Sequence, residues 1–149
     1  MYQSLVSQAM LGIIILSAAF AWWKGDRPER LGALFNGVVA IGVTILQAFT
    51  RDSLGTLPIL IADGMLAMGF LVLALRYATL WLGAAMLLQG LAFSMHSALI
   101  LEVVAPSYGY YAAMNAMSMG VIFSIIVGTA QAWVRRVQAR KAEAAEAEA

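Results

Sequence analysis

Five apolar stretches, each of roughly twenty residues and parted by short polar turns, leave this chain few ways to fold. The run from Thr79 to Glu102, TLWLGAAMLLQGLAFSMHSALILE, shows the pattern: it is of membrane length, yet it carries Gln89, His96 and Glu102. A helix needs roughly 20 predominantly apolar residues to cross a hydrocarbon core of about 30 Å. The stretches that qualify cover about 3–23, 31–50, 57–75, 78–101 and 108–134. The first stops at KGDRPER and the second at RDSLGT, both too polar for lipid. Thr56 is a fitting N-cap for the third, with Pro58 in the first turn, where its missing N–H costs nothing. Ser107 can cap the fifth, which runs into RRVQARK.

Only Arg76, Tyr77 and Thr79 interrupt the boundary between the third and fourth stretches. Taken as one helix, 57–101 would be about 67 Å long, far more than a bilayer is thick, so the chain is expected to fold back there. The alternative is a four-span chain with one re-entrant segment. The expected fold is all-α: one integral membrane bundle of five transmembrane helices over residues 1–141, with the Ala/Glu tail 142–149 as a fraying continuation of the last helix.

Composition agrees. The chain is 62% hydrophobic and 11% charged, with a mean hydropathy of +0.84, whereas soluble domains are about half apolar and a quarter charged. The formal net charge of +1 and the lack of basic runs interleaved with aromatics give no reason to expect nucleic acid. Without Cys there is no disulfide, thiolate metal site or Cys nucleophile, and a single His restricts metal chemistry, so no metal or cofactor is expected. A haem held by two His of one chain is excluded; one His from each of two copies, or His96 with Met95 or Met119, remains formally open, as does a quinone held by a polar pair. Ala19-Phe20-Ala21 looks like a signal-peptidase site, but MYQSLVSQ lacks the basic start of a secretory signal, and the first stretch is read as a retained helix.

Topology follows from the basic residues. An outside N-terminus and a cytoplasmic C-terminus put Lys24, Arg27, Arg30, Arg76, Arg135, Arg136, Arg140 and Lys141 on the cytoplasmic side and leave Arg51 outside. Trp22, Trp23, Trp81 and Trp133 then fall at cytoplasmic helix ends and Tyr2, Tyr108, Tyr110 and Tyr111 at the outer face, as interfacial belts do. The expected location is a bacterial-type inner membrane. Leu-Gly-Ala at 31–33 and 82–84, with Ala-Asp-Gly-Met at 62–65 and Met-Asn-Ala-Met at 114–117, hints at a weak internal repeat that low complexity alone could produce.

Lipid gives helices no hydrophobic reason to associate, so small residues that permit close approach mark their contacts. Gly83, Gly90 and Ser97, with Ser94, form such a stripe on the fourth helix and are the expected packing face, with Gln89 and His96 on the stripe beside it. Gly37, Ala40, Gly42, Gly64 and Gly69 suggest further contacts, and the Met residues at 65, 68, 86, 95, 114, 117 and 119 are expected to fill gaps in the core rather than relay a metal.

Counting inward from the outer helix ends places Asp63 about 9 Å deep, His96 about 8 Å, Asn115 about 10 Å, Gln8 about 8 Å and Gln47 about 5 Å. All five helices therefore offer a polar side chain to one layer. Ionisable groups inside a span usually face a partner or a water-filled cavity. Asp63 and His96 are expected to meet, with Asn115 and Gln8 or Gln47 completing a site that takes up a proton or holds a cationic or polar ligand. The competing role is structural: such groups also hydrogen-bond across helices as glue. Glu102 reads as a solvated loop carboxylate, and Asn36 and Gln131 as interfacial residues near the cytoplasmic ends.

No phosphate loop, HExxH, GxSxG or C-x-x-C occurs, and enzyme activity is not expected on those grounds. In span number, length and orientation the chain resembles the bacterial tryptophan-rich sensory proteins in outline. Their Trp- and Pro-rich helices and loops have no counterpart here, and no family is assigned on that outline. The expected function is a non-enzymatic subunit or accessory protein of a larger membrane complex, with the bilayer and neighbouring proteins or copies of itself as partners. The alternative is a small oligomeric transporter or channel built on the Asp63–His96 site.

Overall fold

The computed structural model describes residues 2–50 and 57–147, with side chains for 9–46, 49 and 57–147. It holds five helices in chain order: α1 (Tyr2–Lys24), α2 (Arg27–Thr50), α3 (Leu57–Tyr77), α4 (Leu80–Ile100) and α5 (Tyr108–Ala147). Each packs against the next, α1 also packs against α5 to close a ring, and α2 reaches across to α5. Four of them, α2 to α5, are long and apolar enough to cross a membrane; in α1 the described apolar part is Ala9–Lys24. Large side chains such as Leu16, Phe49, Leu75 and Leu87 point outward, as lipid-facing residues do.

The second helix starts at Arg27, four residues earlier than its apolar run suggests. A capping box explains the shift: the Asp26 backbone N–H donates to Glu29 Oε2 at 2.9 Å, three residues on, and Pro28 sits in the first turn. The polar stretch KGDRPER is therefore mostly helix, and only Gly25 and Asp26 connect α1 to α2. Gly25 is required there, because a Cβ would overlap the Ala21 carbonyl and stand 2.8 Å from Glu29 Cβ.

The chain folds back between α3 and α4 through Ala78 and Thr79 alone. Ala78 adopts a left-handed φ of 49°, and its N–H bonds to the Ala74 carbonyl at 2.8 Å, so a non-glycine residue makes the left-handed cap. The end of α4 is a Schellman motif with Glu102 at φ 58° in the position usually held by glycine. Val103 N–H reaches Ala98 O at 2.9 Å and Glu102 N–H reaches Leu99 O at 3.1 Å. The Glu102 side chain is exposed, as a loop carboxylate should be. Ser107 caps α5, its Oγ accepting from the Tyr110 N–H at 3.3 Å. That helix runs unbroken for 40 residues, about 60 Å, so the tail continues it as far as Ala147. Thr56 and Arg51 lie outside the described residues.

The packing face of α4 is not the glycine stripe. Leu82, Ala85, Gln89, Ala92 and His96 are buried in a 3–4 spacing, whereas a methyl group on Gly83 or Gly90 would meet nothing within 4 Å and Ser94 is exposed. Two stripes with the same seven-residue period compete, and the one carrying Gln89 and His96 turns inward because lipid cannot satisfy those groups. Ala85 and Ala92 then provide the close approach. Elsewhere small residues do meet neighbours: Gly69 takes the Phe35 ring and Gly64 the edge of Phe93, while Gly37 and Gly42 face open space. Met65, Met68 and Met119 are exposed rather than core-filling. A thioether is apolar enough to face lipid, so nothing drives it inward.

Below the polar layer the core is a compact plug of Leu66, Phe70, Leu82, Ala85, Val121 and Ile125 around Trp81. Trp22 and Trp23 are exposed at the end of α1 and Trp133 is exposed within α5, but Trp81 is only 5% exposed and belongs to this core.

Candidate functional site

Asp63 on α3 and His96 on α4 come together, and α4 supplies the second partner as well. The Gln89 side-chain amide donates to Asp63 Oδ1 at 2.7 Å, and His96 Nδ1 meets Asp63 Oδ2. α3 and α4 pack side by side from a two-residue turn, and the seven-residue spacing puts Gln89 and His96 on one face two turns apart, so one carboxylate is held at both oxygens. Asp63, Gln89 and His96 are all buried. His96 turns Nδ1 to the carboxylate, and Nε2 is the ring's remaining nitrogen.

Tyr110, from the first turn of α5, closes the side of the cluster next to His96. Its ring stands edge-on to His96 with centroids 6.1 Å apart, and Tyr111 packs edge-on behind it at 5.2 Å. The Tyr110 hydroxyl is buried and has no hydrogen-bond partner among the described residues. On the opposite side Asp63 and Gln89 face a central cavity of about 170 Å³ to which every helix contributes: Ile14, Asn36, Asp63, Gln89 and Ser118 are on its wall. A cavity of that size, with Asn36, Asp63, Gln89 and Ser118 among mostly apolar walls, has room for a few waters or a small polar solute.

The other sequence-predicted residues fare differently. Asn115 is exposed on α5. Its depth matches the layer, but it lies roughly 140° around the helix from Tyr110 and so faces away. Ser118 and Tyr110 are what α5 brings instead. Asn36 is not interfacial but buried on the cavity wall, whereas Gln131 is exposed. The side chains of Gln8 and Gln47 lie outside the described residues.

A second carboxylate escapes sequence reasoning. Glu29, in the first turn of α2, is 0% exposed. Its Oε1 accepts from Trp81 Nε1 at 3.2 Å while Oε2 closes the capping box. The capping box Asp26-x-x-Glu29 is visible in the chain, but nothing in it announces burial. Along α4, Trp81 and Gln89 are about 12 Å apart, so the two carboxylates sit at opposite ends of the apolar plug. Among the described residues no three His, Cys, Asp or Glu side chains converge as metal ligands would. No protein-family model, curated protein or solved structure matches this chain.

Proposed function

We propose that the chain is a small multi-pass transporter of a bacterial-type inner membrane, N-terminus outside and C-terminus in the cytoplasm, whose Asp63–His96 pair binds and releases a proton beside the central cavity. The observation that carries this reading is the Asp63 carboxylate, buried inside an apolar bundle toward one end and held by both an imidazole and an amide next to a space that four polar side chains line among apolar ones. Glue between helices needs only neutral hydrogen-bonding groups; a carboxylate in a span costs a few kcal/mol more than that role demands. A carboxylate–imidazole pair changes charge by exchanging one proton, and a cavity beside it lets a polar solute or water sense the change. The orientation rests on the excess of Lys and Arg around one set of helix ends.

The test is proton flux in vesicles holding the purified protein and an entrapped pH-sensitive dye, driven by an imposed pH gradient. Wild type is expected to dissipate the gradient faster than empty vesicles, and Asp63→Asn and His96→Gln to fall to the empty-vesicle rate with their melting transitions retained. Flux unchanged in Asp63→Asn ends the proposal.

A second reading, an accessory subunit of a larger membrane complex, is favoured by one feature: the Gly83, Gly90, Ser94 and Ser97 stripe faces out of the bundle, where a helix of another chain could approach closely. Native mass spectrometry of the tagged protein from its own host separates the two. Foreign subunits in fixed ratio support the subunit reading; a homo-oligomer supports transport.

A further inference from the structure

We propose that the pocket between the last turn of α1 and the end of the apolar part of α5 binds a phosphate-bearing anion, supplied by the headgroup of an anionic lipid. The pocket, about 150 Å³, is lined by Trp23, Lys24, Trp133, Arg136, Val137 and Arg140. Its wall holds three cations and no acid. Beside it stands the Asp26 carboxylate, whose Oδ1 lies 3.2 Å from Arg136 Nε. That ion pair lacks hydrogen-bond alignment at Nε, and the guanidinium also donates to the Lys24 carbonyl, so Arg136 is held in place with donor capacity left over. Lys24 Nζ sits over the rings of Trp23, at 4.4 Å, and Trp133, at 4.9 Å, which fixes a second cation at the mouth. Arg140, one turn beyond Arg136, is exposed and supplies the third.

Two guanidinium groups and an ammonium around a small space match the three acceptor oxygens of a phosphate, Arg by its planar fork and Lys as a point charge. The setting favours a lipid as the source. Trp23 and Trp133 are exposed, flank the pocket and face outward beside Val134, so acyl chains would have apolar surface directly below the headgroup. Basic pockets between helices at the cytoplasmic surface are where anionic headgroups dock. The inference rests on the membrane reading of the bundle and is independent of the Asp63 site.

The test uses full-length protein stripped of lipid in a neutral detergent and titrated, in native mass spectrometry, with phosphatidylglycerol or phosphatidylcholine of identical chains. Wild type is expected to retain phosphatidylglycerol roughly tenfold more tightly. The variant Lys24→Gln/Arg140→Gln, which leaves the Arg136 contacts between α1 and α5 intact, is expected to hold both lipids equally with an unchanged melting curve. Competition by millimolar inorganic phosphate would show that the phosphate group itself is read and that a free anion also suffices; selectivity without such competition assigns the whole lipid. Equal retention of the two lipids by wild type, or undiminished selectivity in the double variant, overturns the proposal. Recovery of the protein in the soluble fraction without detergent would instead sink the membrane reading, and inorganic phosphate alone, read by thermal shift, would still test the pocket.

Discussion

The indole of Trp81 fills a notch whose floor is Gly128: a methyl group on residue 128 would stand 2.6 Å from the ring's Cδ1, Cγ and Nε1. On the other side the same ring reaches within 3.0 Å of where a Cβ on Gly32 would be. The ring is thus pinned between α2 and α5 while its N–H bonds Glu29. Overpacking such a position typically costs about 1–3 kcal/mol. Gly128→Ala is expected to lower stability by about that amount and to shift Trp emission, because the indole must move to admit the methyl. An unchanged melt would mean that the ring does not occupy this notch.

Gly83 and Gly90 make the opposite case. Nothing stands within 4 Å of a Cβ at either position, so Gly83→Ala and Gly90→Ala should leave the isolated chain as stable as before or slightly more so, alanine being the better helix former by about 1 kcal/mol in water. Blue-native electrophoresis of the same variants in mild detergent reads association. Loss of a larger species with the melt intact would assign the outward stripe to contacts between chains.

Asp63 and His96 can be weighed by a double-mutant cycle of Asp63→Asn and His96→Gln, followed by reversible unfolding in mixed micelles. Interhelical hydrogen bonds in a membrane average about 0.6 kcal/mol, whereas coupling between close charged partners runs to about 1.5 kcal/mol and beyond. The expected coupling is about 2 kcal/mol. A value near the lower figure would return the cluster to the role of glue. His96→Ala alone, which leaves the carboxylate with only Gln89, should destabilise by about 3–5 kcal/mol.

Ala78 and Glu102 hold left-handed conformations that cost a residue with a Cβ roughly 1 kcal/mol. Ala78→Gly and Glu102→Gly should each recover most of that, seen as a higher melting temperature. Destabilisation in either would show that the side chain, rather than the backbone, is what the position needs.

How much of this is written in the chain differs residue by residue. Asp63 and His96 are legible because an ionisable group inside an apolar span must find a partner, and counting residues places them at one level. Counting yields depth but not azimuth, which is why Asn115 counts into the layer and yet faces away from it. The same limit exchanges the two seven-residue stripes of α4, where small residues and polar residues each claim the contact and the polar ones win. Glu29 is hidden for another reason: it lies in a stretch so polar that nothing in the local pattern distinguishes a solvated turn from a helix start tucked against Trp81. Asn36 misleads in the same way, since proximity to a helix end does not entail exposure. The five helices themselves follow from length and apolar runs, and their ring order can be read from turns too short to reach a distant neighbour.

The two-residue connection between α3 and α4 turns those helices into the arms of a pair of tweezers. The joint, Ala78–Thr79, lies about 21 Å along α3 from Asp63 and about 24 Å along α4 from His96. Parting those two residues without breaking either arm means opening the angle at that joint. At such a reach a change of about 10° separates the tips by about 4 Å, more than enough to release the imidazole from the carboxylate. The grip at the tips is therefore leveraged against stiffness at the joint, and the cheapest place to alter how readily the cluster opens is a turn that touches none of its members.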